Sequence, residues 1–283
     1  MTPPPSRSRR LLTGSAALAG ATVLLQIAYP LTSDRQLGRL SVVTVVVACG
    51  ACVVHALAEW GPVPTVAFTA VVVGGAFAVE ALGVATGFPF GHYMYAHSLG
   101  PLLLGVPLLV PLAWLMMAYP CLLLSIELAP NIVAPQRLLA TTAVSALLGG
   151  GAMAAWDLFL DPQMVAAGHW TWRDPTPALP GVERVPLTNL AGWLLSATVL
   201  MAVSTALLQR LGTWAVTGPL ARHPDNRLSS ATPMILLGWA WLGGIVANAV
   251  FFDRAAIAGW GGLLLGVLVL PYLVSVLVSV GVR

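Results

Sequence analysis

The chain alternates long apolar stretches with short polar breaks, and the stretches are longer than the core segments of a soluble fold. "LLTGSAALAGATVLLQIAYP" (11–30) is the first, and seven more follow at about 40–59, 63–86, 100–126, 138–160, 187–212, 232–252 and 257–280. Each approaches or exceeds the ~20 residues that an α-helix needs to cross a bilayer. The pattern predicts an all-α fold, a polytopic transmembrane helix bundle of about eight spans. It forms a single integral membrane domain over 11–283, behind a short disordered tail, "MTPPPSRSRR", at 1–10. The count falls to seven if the first stretch is a signal peptide, with Arg7, Arg9 and Arg10 before it and "ALAGA" as a loose cleavage site. Segments 127–137 and 213–231 read as polar connections. Pro107 and Pro111 predict a bend early in the fourth span, since each removes a backbone donor.

Composition narrows the class further. Of 283 residues, 58% are hydrophobic and 8% charged, whereas a soluble domain carries roughly a quarter charged residues. All 13 cationic side chains are arginine. With the N-terminus inside, inner segments hold Arg7, Arg9, Arg10, Arg137, Arg210, Arg222, Arg227 and Arg283, and outer ones hold Arg35, Arg39, Arg173, Arg184 and Arg254. That bias favours a multi-pass cell-membrane protein with a cytoplasmic N-terminus. The formal charge of +3 follows from it and points to no nucleic-acid partner. Cys49, Cys52 and Cys121 lie inside spans, so no disulfide framework is indicated. Cys49, Cys52 and His55 recur at three-residue steps on one helix. Small-residue packing is the economical reading, because zinc would need a further ligand or an open water position there. No metal site is expected.

Two polar breaks are unlike linkers. "TGFPFGHYMYAHSLGP" (86–101) and the segment from "DPQMVAAGHWTWRDP" to "TPALPGVERVPLTNLAGW" (161–193) are dense in aromatics, His, Pro and Gly. Both follow odd-numbered spans, so both should emerge on one membrane face. Helical phase then places the acids. Gly150, Ala154, Asp157 and Asp161 trace one stripe of a helix, and Ala76, Glu80, Gly83 and Gly87 trace another. Small residues let a neighbouring helix come close, so the acids should face the bundle interior. An acid at bilayer depth costs on the order of 2.5–3.5 kcal/mol, which makes each of them a candidate for function. Carboxyls four residues apart lie about 6 Å from each other. In a setting of low polarity such a pair separates an acid from a base, which suits proton-transfer chemistry.

Around these acids, His92, His97 and His169 could relay protons or orient water. Tyr93, Tyr95, Trp170 and Trp172 fit an aromatic belt at headgroup level, or a set of π-faces for a transient cation. Asn189 either caps the sixth span or orients water. His55 and Glu59 lie towards the opposite face and stay outside the site.

"TGFPFGHYMYAHSLGPLLLGVPLLVPLAWLMM", "WDLFLDPQMVAAGHWTW" and "VPLTNLAGW" together resemble the CruF-type family of membrane carotenoid biosynthesis proteins, which includes acyclic carotenoid hydratases. The motif-bearing part covers about 80–195. The resemblance implies addition of water across the terminal C=C of a linear carotenoid, a redox-neutral reaction that needs no cofactor. It implies an acyclic carotenoid substrate, a lipid bilayer around the protein, and other carotenoid-pathway enzymes as neighbours. The roles that follow are Asp157 as the acid, Asp161 as the partner that holds or activates water, and Glu80 as the second candidate acid. His92, Tyr93, Tyr95, His169, Trp170, Trp172, Asn189 and Trp193 are expected to contact substrate.

Rival classes remain. A membrane prenyltransferase also uses Asp-x-x-x-Asp, to hold magnesium against pyrophosphate, but a second acidic motif is missing here. A carrier would suit the buried acids, although no internal repeat accompanies them. A non-catalytic scaffold for isoprenoid enzymes is the third alternative.

Overall fold

The structure, a computed structural model, describes residues 7–32, 34–213 and 227–281. Residues 1–6 of the expected tail, most of the connection at 213–231, and Arg222 and Arg283 lie outside them. Among the described residues, eight helices are long and apolar enough to cross a membrane. They are α1 (Arg7–Ala28), α2 (Asp34–Trp60), α3 (Pro62–Thr86), α4 (Val110–Leu128), α5 (Leu138–Ala166), α6 (Leu187–Arg210), α7 (Arg227–Val246) and α8 (Ala255–Gly281). A 3₁₀ turn, Tyr29–Leu31, extends α1, and a π-helical turn, Ala247–Phe251, extends α7.

Two boundaries depart from the periodicity. The fourth span begins at Val110 rather than near 100, because 100–109 folds as a small hairpin of β2 (Leu102–Leu103) and β3 (Val106–Pro107). Gly100, Leu104 and Gly105 all take positive φ there, a backbone that no helix accommodates. The expected bend at Pro107 and Pro111 is therefore absent. Pro107 is in β3, and Pro111 occupies the first turn of α4, where a missing N–H costs nothing. The proline within α4 is Pro120. The fifth span, expected to end near 160, continues through Pro162 to Ala166. Asp161 is thus inside a helix rather than at its exit.

α4 is the central helix. It packs against α2, α3, α5, α6, α7 and α8 and is buried along most of its length, as its nearly unbroken apolar sequence requires. α5 lies along α6, and Gly150 lets them touch: a Cβ at Gly150 would come within 2.7 Å of the Thr198 backbone. On another face of α5, Phe159 sits against Gly244 of α7 and Gly261 of α8.

The two aromatic loops meet at one end of the bundle. β1 (Tyr93–Tyr95) pairs antiparallel with β4 (Trp170–Trp172), in the register Tyr93↔Trp172, Met94↔Thr171, Tyr95↔Trp170. Strand alternation sends Met94 and Thr171 outward and the four large rings inward. Backbone bonds from Arg173 N to His92 O (2.8 Å) and from Ala96 N to His169 O (2.8 Å) extend the ribbon at both ends. The expectation that both loops leave the same face holds.

Candidate active site

Beneath the β1–β4 ribbon lies a cavity of about 200 Å³, walled by residues of α1, α2, α3, α4, α5, α6, α7 and the ribbon. Glu80 and Asp161 line it, together with Tyr93, Tyr95, Trp170, Trp172, Asn189 and Trp193. Eight of the eleven residues singled out from sequence therefore converge on one chamber.

Glu80 is buried on α3, and its carboxyl is surrounded by donors. Tyr93 Oη donates to Oε2 at 2.5 Å, Tyr95 Oη donates to the same oxygen at 2.8 Å, and Trp114 Nε1 donates to Oε1 at 3.0 Å. Gly83, one turn on, leaves room for the Tyr93 ring, since a Cβ there would lie 2.8 Å from its hydroxyl. Burial, followed by the neighbouring Glu80 carboxyl, holds both phenols above the ordinary tyrosine range, so they remain donors.

Asp161 is one turn from Asp157 on α5, so the two carboxyls share one face of the helix. Asn189, from the first turn of α6, binds both with its amide Nδ2: to Asp157 Oδ2 at 3.0 Å and, more closely, to Asp161 Oδ2. Trp170 Nε1 donates to Asp161 Oδ1 at 3.1 Å. The role of Asn189 is thus side-chain ligation of the acids, and no side-chain cap of α6 is made.

Asp157 does not line the larger chamber. It lines a separate void of about 10 Å³ beneath the 179–187 loop, with Asn189 on the wall of both. Two histidines also fall outside the chamber. His92 is exposed, with its ring against Gly87. His169 is buried behind β4, where Nδ1 bonds Ser98 Oγ at 2.7 Å and ties the two loops together. Burial lowers the His169 pKa below its usual value, so the ring is held neutral.

Sequence reasoning missed Trp114, Trp156 and Phe90. Trp114 stacks on Trp193 at 4.1 Å with 9° between planes, and Trp156 meets Trp193 edge-on at 6.3 Å. One signal could have found Trp114: an indole N–H inside an apolar span needs an acceptor, and Glu80 is one of few available. Phe90 is seated by "LAGW", where Gly192 leaves space for the Phe90 ring and the Pro89 carbonyl. Asn189 and Trp193 then share one helical face towards the chamber.

Among the described residues, no group of three or more His, Cys, Asp or Glu side chains is arranged to hold a metal ion. Cys49 and Cys52 donate to the carbonyls of Leu112 (2.9 Å) and Met116 (3.4 Å), tying α2 to α4. His55 bonds Tyr119 Oη at 2.6 Å and the Ser229 carbonyl at 2.8 Å, at the other end of the bundle.

The profile of one protein family, described as "Carotenoid biosynthesis protein", matches residues 40–269, a region that includes every residue of the chamber described above except Gln26, Tyr29 and Pro30. The chain belongs to this carotenoid biosynthesis family. It is also 33% identical, over 188 residues, to bisanhydrobacterioruberin hydratase of Haloarcula japonica. That alignment covers 65% of this chain, and this chain spans 58% of the relative's length. No solved structure matches the chain.

Proposed function

We propose that the chain is a hydratase that adds water across the terminal C=C of an acyclic carotenoid, giving a tertiary alcohol. The observation that carries this reading is the placement of two acids, Asp161 and Glu80, on the wall of one aromatic chamber inside the bundle. The resemblance to a named hydratase supports the reaction class.

The roles follow from the bonding. Asp161 faces the chamber and shares its proton with Asp157, so it, rather than Asp157, is the group that gives a proton to the alkene. The π-electrons form the new C–H bond at the less substituted carbon, and the charge develops on the carbon bearing two methyls. Glu80, fixed by three donors, acts as a counter-ion, and the faces of Trp193 and Trp172 shelter the cation. Water then forms the C–O bond, and its released proton returns to the carboxyl pair, restoring the starting state. The balance is one alkene and one water to one alcohol, with no oxidant or cofactor consumed. The arginine distribution supports a cytoplasmic N-terminus, which would put the ribbon and chamber on the outer side.

A pigment profile tests this. The chain is expressed in cells that accumulate lycopene or a longer acyclic carotenoid, and extracts are separated with mass detection. A product heavier by one water is expected, lost in Asp161→Asn while the protein remains in the membrane. Absence of any hydrated product across several acyclic substrates overturns the reading in favour of a carrier or scaffold.

A further inference from the structure

Two voids flank the carboxyl pair. The larger is the aromatic chamber against Asp161. The smaller, about 10 Å³, is lined by Asp157, Leu158, Asn189 and the apolar loop residues Leu179, Val182 and Val185 among others. Its size is about the room for one water. Asp157 is 1% exposed, and its Oδ1 has no hydrogen-bond partner among the described residues. A buried carboxyl oxygen left in this way is destabilising unless something bonds it.

The turn over this void carries charged residues at the surface. Val182 and Val185 are buried, while Glu183 and Arg184 between them are exposed, as are Arg173 and Asp174 nearby in sequence. Arg184 holds φ at 67°, a backbone conformation that non-glycine residues seldom adopt. The turn is fastened at its edges by Leu187 N to Pro177 O (2.7 Å) and Trp260 Nε1 to Pro180 O (3.0 Å). Buried Val182 and Val185, which line the void, therefore flank exposed charged residues in the chain, while Asp161 lines the chamber walled by spans.

We propose that the acids are served from two sides: a water under the 179–187 turn bonds Asp157 and exchanges protons between the carboxyl pair and the aqueous face, while substrate meets Asp161 in the aromatic chamber. Asp157 is then a positioning residue that keeps Asp161 charged with a proton. Each exchange swaps one proton for another and leaves the numbers on water and carboxyl unchanged. The arrangement deepens the hydratase reading, yet its test does not require turnover.

Full-length protein in lipid is switched from H₂O to D₂O on an infrared reflection element, where the C=O stretch of a protonated carboxyl shifts down on deuteration. Asp157→Asn and Asp161→Asn identify the band of the pair. Val185→Ile and Val182→Phe fill the small void, so exchange must wait for local opening and is expected to slow by roughly an order of magnitude. Ala240 lines the larger chamber, so Ala240→Phe narrows that chamber instead and is expected to leave the exchange unchanged. Slowing by Ala240→Phe as much as by the valine variants, or no slowing by either valine variant, overturns the proposal. A normal exchange pattern in a protein that makes no hydrated pigment would instead count against the hydratase reading alone.

Discussion

At Glu80, one oxygen takes two phenol protons and the other an indole proton. Because these buried donors fix the carboxylate that serves as counter-ion to the developing cation, Tyr95→Phe is expected to cut product formation by about 10²-fold. Pigment yield per membrane protein measures this, and the change should leave expression intact, since Tyr93 and Trp114 still hold the carboxyl. His169 carries a pH effect instead. Burial depresses its pKa from 6.5, so the unfolded chain binds a proton that the native state resists. Stability should therefore be unaffected above pH 6.5 and should fall as pH drops below it, levelling off once the depressed pKa is passed. Thermal unfolding in detergent at several pH values should show this slope, and His169→Gln should flatten it. The acids themselves were legible in the sequence, because a carboxylate in a span is rare. Which of the two aspartates meets the chamber was not, since helical phase places Asp157 and Asp161 on one face and only the packing of α6 separates them.

Helices and strands differed in how well they announced themselves. The eight helices follow from hydrophobic run length, and the small-residue stripe on α5 correctly marked a close contact. Gly150→Leu should drive α5 away from the Thr198 backbone and cost at least the 1–3 kcal/mol typical of overpacking. A lower melting temperature in detergent together with loss of hydration is the expected outcome, whereas Gly151→Leu, which meets only the tip of Leu268, should do little harm. The ribbon was not legible. β1 and β4 are three residues each, too short for an alternation signal, and their pairing depends on two loops 75 residues apart in the chain arriving at one end. The hairpin at 100–109 was hidden for a related reason: its apolar sequence reads as a span, and only the glycine and proline placement argues otherwise.

The whole bundle bounds what can enter it. At about 200 Å³ the chamber is smaller than the ~300–1,000 Å³ sites that enclose drug-sized ligands, so on the proposed reading it takes only the end group of a polyene. Acyclic carotenoids with the same terminus but different lengths should then be converted at similar rates when they compete in the same membranes, and a cyclised terminus should be refused. Chromatography of mixed-substrate cultures checks both. The order of elements along the chain has a further consequence, for biosynthesis. Glu80 belongs to the third helix, but all three of its donors are translated later, at 93, 95 and 114. The third helix must therefore enter the membrane with an unmatched acid, and its residence there depends on the fourth helix following before it can slip back out.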